Sequence, residues 1–291
     1  MTMGKATPDE IASAYDGIAD NLGEVLGSSL HMGYWGGPEP ALTIEDASHR
    51  MTDLIMDGLD TSPGQRVIDI GCGTGSPAMR LARARNVTVV GVTISGVQVD
   101  IATERAAAEG LSDQVSFQRA NAMELPFPDA SFDAAWAIEC LLHMPDRLTV
   151  LREIARVLRP GGSLALSDPV LRSPHMTGEQ REVLDRYYDL FKVVNVPPID
   201  DYPGILRDSG FQLDRMTDVG DHLDPHRWGP RGWRVLSESL RQNPALTADK
   251  YGLTPEQHDA FLTGLASMEA LPAQGYLLVS AHLAGTRGGS R

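Results

Sequence analysis

Cysteine is scarce in this chain, and long apolar runs are missing from it. The 291 residues include 2 cysteines, Cys72 and Cys140, which make no disulfide framework and no zinc site. No apolar run approaches the ~20 residues that a helix needs to span a bilayer. The segment Met1–Lys5 leads directly into polar sequence, without a hydrophobic signal region. We therefore expect a cytoplasmic protein that makes no use of a membrane.

Basic charge is also in short supply. The chain has 25 Lys and Arg residues against 39 Asp and Glu residues, a formal net charge of −14. Phosphate neutralisation by Lys and Arg dominates affinity for nucleic acids, so we expect no nucleic-acid partner. The hydrophobic content of 42% and the charged content of 22% are typical of a globular protein. The few lysines, beside abundant arginine, alanine and glycine, are typical of a bacterial genome of high GC content.

The most informative stretch that is present runs from Val67 to Gly75. An apolar, β-branched run leads into glycines at 71, 73 and 75, and a helix-like segment follows at once. This order is typical of the nucleotide-binding turn of a doubly wound α/β sheet. The alternative is an ordinary strand-to-helix turn in which the glycines only permit tight geometry.

The details of this turn indicate which nucleotide it binds. A dinucleotide fingerprint would place its third glycine at position 76, which is Ser76 here. Asp69 lies two residues before the first glycine, and a fixed carboxylate there would repel a pyrophosphate. The same charge would attract a ligand that carries an α-ammonium and a sulfonium group. The spacing therefore favours S-adenosylmethionine (SAM).

From residue 66 onward the pattern alternates between strand and helix, which predicts a mostly parallel sheet with right-handed crossovers. Ligands of such a sheet bind at the carboxyl ends of its strands, beside strand one. The predicted strands span residues 66–70, 87–92, 113–118, 132–138, 163–167, 211–219 and 275–283. The predicted helices span residues 77–85, 95–109, 146–157, 178–194 and 200–209, and Arg159-Pro160-Gly161-Gly162 is interpreted as a helix stop.

The flanking regions complete a single domain over residues 1–291, without an evident linker. Residues 1–60 are predicted to form a helical cap, interrupted by a segment rich in aromatics and glycine over residues 30–38, the aromatic loop. Residues 61–170 form the SAM-binding core. The remainder, 171–291, supplies the last strands and a helical lid over about 221–274, which is too long for an ordinary connection and indicates function.

These motifs resemble those of the class I SAM-dependent methyltransferases, over about residues 10–170. The similarity is greatest to enzymes that methylate small natural products, namely rebeccamycin-type sugar O-methyltransferases, rifamycin O-methyltransferases, and tocopherol and sterol methyltransferases. The matching segments are Leu30 to Trp35, Asp69 to Gly75, Leu142 to Asp146 and Arg159 to Gly162. The resemblance implies a doubly wound, mostly parallel seven-stranded sheet with an antiparallel last strand, which residues 275–283 could supply.

The resemblance also implies a cofactor site. Asp69, Gly71 and Gly73 would contact the methionine portion of SAM, and Cys72 between them is a further predicted cofactor-binding residue. Where many relatives grip the ribose with an acidic residue, this chain has Thr93, Ile94 and Gln98, and an amide can both donate and accept. Asn121 replaces an aspartate that usually contacts the adenine amino group, and its oxygen can still accept that bond. The other predicted cofactor-binding residues are Ala122, Met123, Glu139, Tyr15 and Trp35, with core packing an equal alternative for Met123 and backbone hydrogen bonding the alternative for Glu139.

Methyl transfer to a hydroxyl requires removal of a proton, for which His143 is the leading candidate. Its unperturbed pKa of ~6.5 suits base chemistry at neutral pH, and Asp168 is predicted to orient the imidazole. The alternative makes His143 a helix-start residue and Asp168 a cap before Pro169. No ligand spacing suggests a metal. The predicted acceptor pocket comprises His31, Tyr34, Tyr187 and Trp228.

We therefore predict a SAM-dependent methyltransferase that releases S-adenosylhomocysteine (SAH) and acts on a hydroxyl of a small, largely apolar natural product. An N-methyltransferase is the alternative, and a C-methyltransferase is third. A nicotinamide-dependent oxidoreductase is disfavoured by Asp69 and Ser76, and a non-catalytic SAM-binding regulator by the predicted base. Monomer and homodimer both stay open.

Overall fold

The computed structural model describes residues 29, 31–36, 43–173, 175–223, 230–248, 253–267 and 274–285. Two residues of the predicted site, Tyr15 and Trp228, lie outside the described residues, as does much of the expected N-terminal cap. No described helix is both long and apolar enough to cross a membrane.

Strands and helices alternate through the core, as the sequence pattern predicts. The strands are β1 (Arg66–Ile70), β2 (Thr88–Thr93), β3 (Val115–Arg119), β4 (Phe132–Ile138), β5 (Leu158–Leu171), β6 (Phe211–Asp218) and β7 (Gln274–Leu283). The helices are α1 (Ile44–Met56), α2 (Ser76–Arg85), α3 (Gly96–Ala108), α4 (Arg147–Val157), α5 (Gly178–Phe191), α6 (Tyr202–Asp208), α7 (Pro230–Gln242) and α8 (Pro255–Ser267).

Within the described residues, seven strands form one sheet in the order β3-β2-β1-β4-β5-β7-β6. The strands from β3 to β5 pair in parallel, whereas β7 runs antiparallel to both β5 and β6. The chain order reverses beside β1, so the carboxyl ends of β1, β2 and β4 meet at the switch point where ligands of such sheets bind. The predicted doubly wound fold with an antiparallel last strand is confirmed.

Side-chain caps begin the helices that follow this edge of the sheet. The hydroxyl of Ser95 accepts from the backbone N–H of Gln98 at 3.0 Å at the start of α3. The carboxylate of Asp146 accepts from the first turn of α4. Because each cap satisfies donors that the helix itself leaves unpaired, the two helices begin at fixed points, just beyond β2 and β4.

The sheet is packed on both faces, and a third apolar cluster lies over its carboxyl edge. This third cluster, which we call the lid cluster, joins α5 and α8 to Leu142 and Leu171 at the strand ends. Its buried members also include Val183, Leu184, Tyr187, Leu262 and Leu265, with Leu240 of α7 and Phe261 partly buried against them. Helix α8, inside the predicted lid, and α5, which precedes the predicted lid, thus bury an apolar surface beyond the ends of β4 and β5.

The fifth strand differs from its prediction. It spans Leu158–Leu171, so the predicted helix stop at residues 159–162 lies inside it. The pairing with β4 passes from Phe132↔Leu158 to Ala134↔Ser163, which shows that the extra residues form an irregularity in the ladder. Gly161 has φ +77° there, a conformation that glycine adopts readily. The same residues that can stop a helix can therefore form a bulge in a strand.

Candidate functional site

The glycine loop connects β1 to α2, and its three glycines serve different purposes. A Cβ at Gly75 would lie 2.7 Å from the Phe117 ring, and one at Gly71 would lie 2.4 Å from the Cys140 Cβ. These two glycines permit close packing of the protein on itself. At Gly73, with φ +52°, a Cβ would meet nothing within 4 Å. Gly73 is therefore the glycine of this loop that borders open space.

Cys72 is buried between these glycines, at 5% exposure. A Cβ on Gly91 of β2 would lie 2.8 Å from the Cys72 Cβ, so this side chain packs against the sheet. Burial raises the pKa of its thiol well above the usual value. The thiol is therefore a packing group in this structure, and its contact with a ligand stays a prediction.

Asp69, the carboxylate before the loop, is 2% exposed. Its Oδ2 atom has no hydrogen-bond partner among the described residues, and burial raises its pKa to about 7. A buried carboxylate oxygen without a partner is costly. A cationic ligand group would relieve that cost by favouring the ionised form. Asp69 therefore fits the α-ammonium group of SAM.

Thr93, Ser95 and Gln98 form a buried polar group at the end of β2. The Thr93 hydroxyl donates to Oε1 of Gln98 at 2.7 Å, and Gln98 is 3% exposed. One lone pair of the Gln98 carbonyl oxygen is thus engaged, and the contact of this amide with a ribose hydroxyl stays a prediction. The neighbouring Ile94 carbonyl accepts from Arg119 Nε at 2.9 Å.

Asn121 begins a turn after β3. Its Oδ1 accepts from the backbone N–H of Met123 at 3.0 Å, and the residue is exposed. One lone pair of this oxygen is therefore occupied, and the predicted contact with an adenine amino group would use the second. Ala122 is 6% exposed, and Met123 is partly buried against the core. The packing alternative for Met123 is thus realised in the structure.

His143 ends a short 3₁₀ helix, Leu141–His143, just beyond β4. Its Nδ1 lies 3.0 Å from the carbonyl oxygen of Lys192. Because a carbonyl only accepts, Nδ1 carries the proton in this contact and the ring lone pair is on Nε2. Burial lowers the pKa of His143 to about 4, so the imidazole is neutral at neutral pH.

Asp168 does not orient His143, so that prediction is wrong. Its Oδ2 accepts from Arg147 Nη2 at 2.8 Å and from the Tyr202 hydroxyl at 2.7 Å. The guanidinium of Arg147 also donates to the Asn195 carbonyl. The carboxylate points toward α4 and α6, because those helices bring its two partners. The group that orients the imidazole is the Lys192 carbonyl.

The Arg147–Asp168 pair is buried, with side chains 5% and 0% exposed. Replacing Asp168 by Asn would leave the guanidinium without its counter-charge, which costs about 3–5 kcal/mol of unfolding free energy at a buried site. The matched control is Asp53→Asn, which breaks the half-exposed pair with Arg80 and should cost less than about 1 kcal/mol. Urea unfolding of both variants checks this. Equal, small losses would contradict a structural role for the pair.

Two residues of the predicted acceptor pocket are engaged elsewhere. Both ring nitrogens of His31 are in contact, with the Met32 carbonyl at 2.9 Å and the Thr52 hydroxyl at 3.0 Å, and burial lowers the pKa of His31 to about 4. The Tyr187 ring packs in the lid cluster, 5.2 Å from the Phe191 ring. His31 therefore fixes the aromatic loop on α1, and Tyr187 fixes the lid.

Other described residues of the aromatic loop contact His222 and the carboxylate of Glu139. The Tyr34 ring lies 5.2 Å from the ring of His222, whose carbonyl accepts from the Trp35 N–H at 2.8 Å. Glu139 Oε1 accepts from the Met32 N–H at 2.6 Å and from the Tyr276 hydroxyl at 2.5 Å. The structure thus brings Tyr34, Trp35 and Glu139 together, as backbone and side-chain neighbours of one loop.

Sequence reasoning missed Arg147, Tyr276 and the Lys192 carbonyl. Arg147 carried a usable signal, because a cation in the first turn of a helix opposes the helix dipole and so indicates a carboxylate partner. Tyr276 and Lys192 carry none, since their contacts join residues 137 and 49 positions apart. Among the described residues, no group of three or more His, Cys, Asp or Glu side chains is placed to hold a metal ion.

Comparison with known proteins agrees with this geometry. Residues 68–166 match the family described as "Methyltransferase domain". The chain is 40% identical over 280 residues to 27-O-demethylrifamycin SV methyltransferase from Amycolatopsis mediterranei, covering 96% of this chain and 98% of that one. It is 43% identical over 215 residues to an O-methyltransferase from Aspergillus nomiae, covering 74% and 94%.

A solved structure extends the likeness to the whole fold. The crystal structure of the [4+2]-cyclase SpnF superimposes with a TM-score of 0.78 at 30% identity, and the match covers 98% of this chain and all of that one. The chain belongs to the class I SAM-dependent methyltransferases.

Proposed function

We propose that this enzyme transfers the methyl group of SAM to a hydroxyl of a bulky, largely apolar natural product, such as a polyketide or a glycoside. The observation that carries the proposal is the similarity, over nearly the whole chain, to 27-O-demethylrifamycin SV methyltransferase, whose name specifies an oxygen acceptor. The fungal relative bears the same specification. An amine acceptor is the alternative.

Each of the proposed cofactor-binding residues contacts a different part of SAM. When bound, SAM supplies an electrophilic methyl group on a sulfonium. Asp69 holds the ammonium group, and the open space at Gly73 admits the ligand to the loop backbone. The Gln98 amide donates to a ribose hydroxyl, and Asn121 accepts at the adenine end. Because this reaction is an in-line displacement, such positioning supplies much of the catalysis.

His143 is the proposed general base. The Lys192 carbonyl holds its Nδ1–H, which keeps the lone pair on Nε2 for an acceptor proton. A conjugate acid with a pKa of about 4 makes this a weak base. A weak base is sufficient here, because the hydroxyl proton becomes strongly acidic as the new C–O bond forms. His143 then removes that proton late in the transfer.

The lid cluster is the reason for proposing an apolar acceptor. Leu142, next to His143, and Leu171, at the end of β5, are both buried in it with residues of α5 and α8. An acceptor that reaches His143 would lie against this surface, and burial of its apolar area would drive binding by ~25 cal/mol per Å². Closure of the lid would also exclude water from the reaction.

A panel of large, apolar compounds tests the proposal. The panel contains matched alcohols, amines and alkenes, and mass spectrometry detects the gain of one methyl group with SAM present. We expect the gain with alcohols. Methylation of the amines alone would favour the alternative. Conversion to an isomer of unchanged mass would instead indicate a cyclase, as the structural neighbour SpnF at 30% identity is named.

Cofactor affinity should depend on pH through Asp69. Its pKa is about 7 in the free protein, so the carboxyl is largely protonated below pH 7 and ionised above it. Because the ligand ammonium favours the ionised form, SAH affinity should be full near pH 8 and fall by up to about tenfold per pH unit below pH 7. Calorimetry at pH 6, 7 and 8 checks this. Burial also raises the pKa of Glu139 to about 7, so the comparison is made in a Glu139→Gln background. Asp69→Asn in that background should bind SAH weakly and without pH dependence, and a slope that persists there would refute the assignment.

A further inference from the structure

Glu139 joins three parts of the chain that lie far apart in sequence. It is the first residue after β4 and is partly buried. Its Oε1 accepts from the Met32 N–H in the aromatic loop and from the Tyr276 hydroxyl in β7. Two donors on one oxygen fix the position of the carboxylate, because each bond restrains it from a different direction.

The support behind Glu139 is rigid. The Tyr276 oxygen lies 2.9 Å from the Ser167 Oγ, and these two residues are 1% and 0% exposed. The backbone N–H of Glu139 donates to the Ser167 carbonyl at 3.1 Å. Glu139 itself has φ +47°, a conformation that a residue with a Cβ adopts rarely. Such a conformation persists where the surroundings hold it, and it clusters at functional sites.

Glu139 also adjoins the cofactor loop. The next residue, Cys140, fills the space beside Gly71, where a Cβ would lie 2.4 Å from the Cys140 Cβ. Residues 139 and 140 therefore contact the aromatic loop on one side and the glycine loop on the other. The Tyr34 and Trp35 amides of the aromatic loop are bonded to backbone carbonyls, whereas the Met32 amide depends on a side chain.

We propose that Glu139 is a positioning residue, whose carboxylate holds Met32, and with it the described residues 31–36 of the aromatic loop, beside the glycine loop at the methionine end of the SAM site. This inference rests on two contacts: Met32 bonds to Glu139, and Cys140, the next residue, packs beside the glycine loop. It rests on SAM binding by this family, not on the identity of the acceptor atom. An experiment can therefore refute it without refuting the proposal of a hydroxyl acceptor, and the reverse also holds.

Amide hydrogen exchange of the full-length protein, together with SAH calorimetry, tests this role. In the parent protein, SAH should slow the exchange of the Met32 amide. In Glu139→Ala, that amide should exchange faster and SAH affinity should fall by about tenfold, since the hydrogen bond from the Met32 amide to the carboxyl group is lost. In Glu139→Gln, the amide oxygen can accept the same bonds, so both properties should return close to those of the parent.

Asp133→Ala is the matched control. Asp133 Oδ2 accepts from the Arg66 N–H at 2.8 Å at the opposite end of β4, so this variant also removes a carboxylate that anchors a backbone amide. It should lose stability without changing SAH affinity or Met32 exchange. Parent-like SAH affinity in Glu139→Ala, or an equal loss in Asp133→Ala, would overturn the proposal. If Glu139→Ala does not fold, a Met32 exchange rate in the parent that SAH leaves unchanged would overturn it as well.

Discussion

Gly73→Val should abolish the binding of SAM while the protein stays folded. No described atom lies within 4 Å of a Cβ at this position, so the new side chain would occupy the open space that the proposed SAM site uses. The backbone at φ +52° adds strain of ~1–2 kcal/mol for a residue with a Cβ, which lowers stability without removing the fold. Calorimetric titration with SAM, beside a thermal unfolding curve, measures both effects.

Gly64→Val separates the strain from the steric block. Gly64 has φ +82° and equally open surroundings, in the turn before β1, at the sheet edge away from the glycine loop. This control should lose similar stability and bind SAM as the parent does. Binding of SAM by Gly73→Val with parent affinity would place the ligand elsewhere. Binding of NAD by the parent, with none for SAM, would refute the interpretation of the whole loop.

His143→Ala should lower kcat for an alcohol acceptor by about 10²–10⁴-fold, the usual contribution of a positioned base. SAM affinity should change little, because the ring Nδ1 of His143 is bonded to the Lys192 carbonyl and the proposed role of this side chain concerns the acceptor. An amine analogue of the same acceptor has a lone pair ready for transfer, so its rate should fall much less. Single-turnover rates with the matched alcohol and amine measure the difference.

The pH profile gives a second measure of the same role. With a pKa of about 4, the imidazole is neutral throughout the neutral range and becomes protonated only as the pH falls toward 4. With saturating SAM, the parent rate should therefore show no limb near the unperturbed pKa of ~6.5. His282→Ala, which removes an exposed histidine paired with Asp214, should behave as the parent. Near-full alcohol turnover in His143→Ala would contradict the base assignment.

Local patterns predicted strands well where an apolar run has turn residues at both ends. The bounds of β1 and β4 were predicted at Arg66–Ile70 and Phe132–Ile138, as observed. Proline and glycine were less decisive at residues 159–162, since the same residues serve a helix stop and a strand bulge. The pairing of β4 with β5 decides between them, and that pairing is a property of the sheet.

The candidate site could be predicted in part. Asp69 and Gly73 were identifiable because their chemistry depends on local spacing along one turn. The partner of Asp168 was not identifiable. Arg147 lies 21 positions away on a helix, and nothing in the local sequence shows that Asp168 pairs with Arg147 and not with His143. The tie between Met32 and Glu139, 107 positions apart, is visible only once the sheet has assembled.

The most direct test of this account uses SAM carrying a ¹³C-labelled methyl group with an acceptor identified from the panel. The NMR spectrum of the product reports the atom that carries the label. We predict a methyl resonance bonded to oxygen, with loss of that product in Gly73→Val and its strong reduction in His143→Ala. A label on nitrogen or carbon, or a product without the label, would contradict the account.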